Sequence, residues 1–229
     1  MRLLDLFSGT HSVGKVARAL GYEVVSLDLA DATICCDVCE WQYDVFPRGH
    51  FDVIWASPPC DCFSSLKRCN IGRFGITADT IANDISNTGL PILRKAQEII
   101  EYFQPEQWFI ENPKTGYMKD YIDKAIPFYD VDYCKYTDWG YRKRTRIWHK
   151  APVPNFTPRL CNKDCGYVEN GRHLIDVTGS KKGRNNKGQG GGNNRAPRYR
   201  IPPVLIEQLL SPYISKQPEH ADLCVYQNS

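Results

Sequence analysis

The chain has 229 residues, 42% of them hydrophobic and 24% charged, which excludes a disordered or fibrous protein and suits one compact domain with a small appendage. No apolar run approaches the ~20 residues of a membrane-spanning helix, and the start, MRLLDLFSGTHSVG, carries an acid at position 5 and no secretory pattern, so no membrane association and an intracellular site, cytoplasm or nucleus, are expected. Ten cysteines without a secretion signal point to a reducing compartment, and the net charge of +3 excludes a strongly basic or acidic chain as a whole.

Strands alternate with helical patterns over residues 1–150. Arg2–Phe7 is a short apolar strand ending at Ser8-Gly9, and Val13, Val16, Ala17 and Leu20 recur at the spacing of one helical face closed by Gly21. Glu23–Leu29 reads as the second strand and Thr33–Cys36 as the start of a third. Phe51–Ala56 is a continuous apolar run of the kind buried on both faces of a parallel sheet. Leu90–Phe103 places Leu93, Ala96, Ile99, Ile100 and Phe103 on one helical face, Gln107–Glu111 is the next strand, and Val131–Tyr136 and Arg144–His149 read as two later, paired strands. The pattern predicts an α/β fold with a mainly parallel sheet flanked by helices. Residues 151–200 are rich in Pro, Asn, Gly and basic residues. Within them, 179–200 hold seven Lys and Arg, Lys181, Lys182, Arg184 and Lys187 among them, with six Gly and no acid. Such a strip suits a polyanionic partner, though a solvated loop would have the same composition. Residues 201–215 restore a helical segment that returns to the first domain.

Four segments carry chemistry. Asp5-Leu-Phe7-Ser8-Gly9 is a strand followed by a turn whose backbone N–H groups can approach a ligand, and Asp28, nineteen residues after Gly9, can accept hydrogen bonds from two ribose hydroxyls. Ser57-Pro58-Pro59-Cys60 presents a thiol on a stiffened backbone at the C-terminal edge of a buried strand, where open α/β sheets bind ligands; a structural thiol is the alternative. Glu111-Asn112-Pro113 ends the next strand in a carboxylate, suited to proton donation or to hydrogen bonding a base. Arg142, Arg144 and Arg146 share one face of a strand at period two.

DLFSG, SPPCxxFS, ENP and RxRxR, in this order, resemble the cytosine-C5 DNA methyltransferase family over about residues 1–150. The resemblance implies a Rossmann-like S-adenosylmethionine-dependent fold. It implies cofactor contacts from Phe7, Ser8, Gly9, Asp28, Asp37 and Pro59, a nucleophilic Cys60, a base-contacting Glu111 and active-site cations Arg144 and Arg146. The implied partner is double-stranded DNA, bound by a monomer, with Lys67, Arg68, Arg142 and the basic strip near the nucleic acid; the target is short, such as CpG. An RNA cytosine methyltransferase of the same build, or a catalytically silent relative, would share the motifs. The chain departs from the family's pattern at Asp61, Pro113 and Arg142, where Gln, Val and Gln are usual. The gap that normally holds a large target-recognition domain is only about fifty residues. Short enzymes of this build resemble those of phages and large DNA viruses.

One constellation stands apart. Cys161-Asn-Lys-Asp-Cys165 with His173 beyond it has zinc-ligand character if a fourth ligand arrives, with Cys69 and Cys62 as candidates; loop thiols are the alternative. The pair Cys36 and Cys39 overlaps Asp37 and reads as incidental.

Overall fold

The computed structural model describes residues 1–175 and 199–214. Lys181, Lys182, Arg184 and Lys187 of the basic strip therefore lie outside the described residues. Seven strands form one sheet: β1 Arg2–Leu6, β2 Glu23–Asp28, β3 Ile34–Cys35, β4 Val53–Ala56, β5 Gln107–Pro113, β6 Phe128–Asp132 and β7 Arg144–His149, in the order β3-β2-β1-β4-β5-β7-β6. The first five run parallel, and β7 is antiparallel to both neighbours. This is the mainly parallel α/β sheet expected from the alternation of patterns. Because the order reverses beside β1, the C-terminal ends of β1 and β4 open a crevice, the usual place for a ligand in such sheets.

The continuous apolar runs follow from burial on both faces. In β4, Ile54 and Ala56 pack on one side and Val53 and Trp55 on the other, all fully buried. On the first side lies helix α4 (Leu90–Phe103), whose Leu93, Ala96, Ile99 and Phe103 form the predicted stripe. On the second lie α1 (Ser12–Ala19) and the last helix, whose Leu205, Ile206, Leu209 and Leu210 are sealed against Val13 and Ala17. Each such side chain contributes about 1.5–3 kcal/mol. That last helix spans Pro203–Ile214, with a proline at its first position, where the missing N–H costs nothing. Gln107, fully buried, ties it in: its Nε2 donates to the Tyr213 hydroxyl at 2.7 Å and to Ala151 O at 2.8 Å, while its Oε1 accepts from Lys150 N at 2.9 Å.

Before α4 the chain forms α2 (Ser65–Arg68), α3 (Ala78–Asp84) and a wide π turn, Ile85–Gly89, that runs straight into α4. A Cβ on Gly89 would lie 2.9 Å from both the Cys62 Cβ and the Phe63 ring, so the helix passes against the loop that follows Cys60 with no room for a side chain. A two-stranded hairpin, β8 (Val168–Glu169) and β9 (Arg172–His173), follows the sheet. Strand β6 sits earlier than Val131–Tyr136: beyond Asp132 the chain enters a 3₁₀ turn, Tyr133–Lys135. Tyr133 and Tyr136 are buried there, so apolar character outlasts the strand. No helix among the described residues is long and apolar enough to cross a membrane.

Candidate active site

After β1 the chain turns back on itself. Phe7, Gly9 and His11 take left-handed φ values of 63°, 43° and 57°. The Phe7 and Ser8 N–H groups donate to Leu27 O at 2.8 and 3.2 Å, fixing the turn to the end of β2. Asp28 completes this: its Oδ2 accepts from Gly9 N at 2.9 Å and its Oδ1 from Leu29 N at 2.7 Å. Its carboxylate is thus braced beside the turn with lone pairs left for a ligand. His11, just before helix α1, gives it no side-chain cap; Asp5, inside β1, accepts from Gly14 N at 3.1 Å instead. Burial pushes the Asp5 carboxyl from 3.8 up to about 7, against the pull of the Gly14 N–H and Arg18.

Two cavities open at this edge. The smaller, about 240 Å³, is walled by Phe7, Ser8, Gly9, Asp28, Pro59 and Ile201, among others. In its wall, Ser8 Oγ and Asn112 Oδ1 are buried with no hydrogen-bond partner among the described residues. A braced carboxylate and two unpaired polar atoms in a wall made partly apolar by Phe7, Val13, Pro58, Pro59 and Ile201 fit a nucleoside-type ligand. Asp37 is not part of that wall; it is exposed after β3, where its carboxylate accepts from Cys39 N at 2.8 Å. The larger cavity, about 430 Å³, is bounded by Ser64, Ser65, Thr115, Arg142 and Arg144. Cys60, Asp61, Pro113, Lys143 and Tyr199 belong to both.

Cys60 therefore stands at the junction. Its backbone is stiffened by Pro58 and Pro59, and Asn112 Nδ2 donates to Pro58 O at 2.9 Å, pinning the loop to the end of β5. Burial pushes the Cys60 thiol up; Lys143 pulls it down, while Glu111 and Asp61 push it further up. Glu111 is 5% exposed, and its Oε1 accepts from the Tyr133 hydroxyl at 3.1 Å and faces Lys143 Nζ at 3.5 Å. Lys143 Nζ also sits 5.0 Å from the centre of the Tyr133 ring. Burial, and then the charge of Glu111, holds the Tyr133 hydroxyl protonated well beyond its usual range, which keeps it a donor.

Sequence comparison bears on what this junction is. The chain is 47% identical over 221 residues to the "Probable DNA (cytosine-5)-methyltransferase" of Frog virus 3 (isolate Goorha), covering 92% of this chain and 99% of that protein. The chain belongs to the DNA (cytosine-5)-methyltransferase family. No family profile matches it. Among solved structures, it is similar to a DNA modification methyltransferase encoded within an E. coli prophage, at 14% identity and a TM-score of 0.43 over 71% of this chain and 52% of that one. It is also similar to a methyltransferase of Entamoeba histolytica, at 14% identity and a TM-score of 0.47 over 68% and 55%. The chain spans about half the length of these two proteins.

In this DNA (cytosine-5)-methyltransferase the arginine row is held by β6. Opposite one another in the antiparallel register, Arg144 grips Asp132 through Nε and Nη2 at 3.0 and 2.7 Å, and Arg146 grips Asp130 at 2.8 and 3.0 Å. Arg144 and Arg142 reach the wall of the larger cavity. Arg146 lines neither cavity; its guanidinium lies 3.5 Å from the centre of the Phe128 ring. Among the described residues, the cation that lines both cavities with Cys60 and faces Glu111 is Lys143, which a period-two strand through Arg142, Arg144 and Arg146 would put on the opposite face. That pattern fails because β7 begins only at Arg144, so period-two alternation does not govern residue 143. Asn112 lies inside the ENP motif, while Tyr133 carries no local signal. Lys67 is paired with Asp84 at 2.6 Å and Arg68 stacks 4.5 Å from the centre of the Tyr117 ring, both beside the larger cavity rather than in its wall.

The thiol cluster of this methyltransferase corrects one expectation. Cys161, Cys165 and His173 do come together, but the fourth group is Cys134, from the turn after β6, and not Cys69 or Cys62. Cys69 is exposed and Cys62 packs against Gly89.

Proposed function

We propose that this chain transfers the methyl group of S-adenosylmethionine to carbon 5 of a cytosine swung out of duplex DNA, with Cys60 bonding to carbon 6 during the reaction. The observation that carries the reading is the meeting of two cavities at Cys60, with Glu111 and Lys143 across the junction. The smaller cavity suits the cofactor, held by Phe7, Ser8, Gly9 and Pro59, with Asp28 accepting ribose hydroxyls. Asp37 joins this set on the family resemblance alone. When bound, S-adenosylmethionine supplies an electrophilic methyl group. The larger cavity suits the target base, whose extraction from the stack costs a few kcal/mol.

Carbon 5 of cytosine is a weak nucleophile. Addition of the Cys60 thiolate to carbon 6 moves an electron pair toward carbon 5 and the ring nitrogen, which activates carbon 5. Glu111, clamped at Oε1 by Tyr133 and Lys143, has its second oxygen left to meet the ring nitrogen and exocyclic amine, where charge develops. Lys143 also draws the Cys60 thiol toward the thiolate that burial disfavours. Once carbon 5 is methylated, its proton leaves to water, and the C–S bond breaks to restore the aromatic ring. Arg142, Lys67, Arg68 and the cations of residues 181–187 supply phosphate contacts to a monomer on double-stranded DNA, and the small region 151–200 suits a short target such as CpG.

The test is Cys60→Ala. Methyl transfer to duplex DNA should vanish while cofactor binding by calorimetry persists, and a duplex bearing 5-fluorocytosine should form a stable adduct with the unaltered chain alone, because fluorine blocks the final elimination. An adduct surviving in the variant would place the nucleophile at Cys62. Transfer to RNA in preference to DNA would overturn the choice of substrate.

A further inference from the structure

Beside the Arg144–Asp132 pair, four side chains from three segments converge. The Sγ atoms of Cys134, Cys161 and Cys165 and a ring nitrogen of His173 all lie within 4.8 Å of one another. His173 Nε2 is 3.5 Å from Cys161 Sγ and 3.4 Å from Cys165 Sγ. The turn between the two loop cysteines is shaped to serve the first of them: Lys163, at φ 70°, donates its N–H to Cys161 Sγ at 3.3 Å. A disulfide would use two of these groups and leave the imidazole unexplained. Apolar packing does little to draw these groups together, since Cys161 is the one buried residue in 154–175. A hairpin with almost no apolar core needs another staple, and a metal is a common one in such segments.

We infer that Cys134, Cys161, Cys165 and His173 bind one zinc ion as a closed structural site. Three thiolates and one imidazole match the soft, tetrahedral preference of zinc, and four protein ligands leave no open position for catalysis. Binding releases the three thiol protons to solvent and leaves the site with one net negative charge. Lys135, next to Cys134 and paired with Asp164 at 3.0 Å, stands beside that charge. The site fastens the β8–β9 hairpin to the end of β6. It also reaches toward the larger cavity through one atom: Asp132 Oδ2 accepts from Cys161 N at 2.8 Å and from Arg144 Nη2 at 2.7 Å.

Metal analysis of the chain, purified under reductant without chelator, should find one zinc per chain, released when a mercurial titrates the thiols. Cobalt(II) added to the stripped chain should give thiolate-to-cobalt charge-transfer absorption with the visible bands of a tetrahedral site. Cys165→Ser should lose the zinc and that absorption, whereas Cys69→Ser should keep both. Zinc-free protein whose cobalt spectrum lacks these bands overturns the assignment. So does equal zinc in the two variants, or a disulfide among the four residues in protein purified under those conditions. Should Cys165→Ser fail to fold, the cobalt spectrum of the unaltered chain decides the matter alone.

Discussion

Beside β1 and β2 the site is made of backbone: the N–H groups of Phe7 and Ser8 fix the turn to Leu27 O, and one carboxylate, Asp28, is held by those of Gly9 and Leu29. Beside β6 and β7 it is made of side chains: Arg144 on Asp132, and Tyr133 and Lys143 on Glu111. The first region draws on the ends of β1 and β2, within one strand-helix-strand unit. The second draws on charges that meet only because antiparallel strands pair. The comparison teaches that this chain holds the suggested cofactor side with geometry and the suggested base side with electrostatics, so the two should fail differently when altered.

The largest effect expected is on stability, at Asp5. Burial lifts its carboxyl from 3.8 to about 7, so folding favours the protonated form. The contribution is whole below about pH 4 and is lost as pH climbs to about 7, up to about 4 kcal/mol in all. Asp5→Asn, which keeps an oxygen for Gly14 N, should escape that loss. Chemical denaturation at pH 5 and pH 8 checks it, and equal losses in both chains would show that Asp5 is not the responsible group. Next, Glu111→Gln should lower kcat by ~100-fold or more while cofactor affinity holds. A parallel fall in cofactor affinity would erase the division between the two regions. Asp28→Ala should do the opposite, raising KM for S-adenosylmethionine by about 10-fold with kcat nearly unchanged. Smallest is Lys143→Gln: without the cation that lowers the Cys60 thiol, the pH at which the rate reaches half its maximum should move up. An unmoved limb would free Cys60 from Lys143.

The same contrast explains what could be read from the sequence. Strands β1, β2, β4 and β5 and the helix Leu90–Phe103 announce themselves through apolar runs or a 3.6-residue stripe, and the cofactor-side turn lies in one contiguous motif. Lys143, Tyr133 and Cys134 were silent because their partners lie far off in the chain or across a strand pairing. Tyr133 lies 22 residues from Glu111, and Cys134 meets Cys161 only where the turn after β6 folds over the loop. Helix α3 was silent for a different reason: Ile81 is its one buried residue, so no stripe repeats.

The π turn at Ile85–Gly89 has a consequence for how this enzyme tolerates length changes. An α-helix advances about 100° per residue, and a π turn accommodates one residue more than an α turn. Deleting one residue there would let α3 and α4 fuse into an unbroken α-helix, with helical content by circular dichroism scarcely altered. Yet everything upstream would swing about 100° around the axis. Ile81 would leave the core and Asp84 would leave Lys67, so the spectrum would report an intact helix while the phase of α3 relative to α2 was gone.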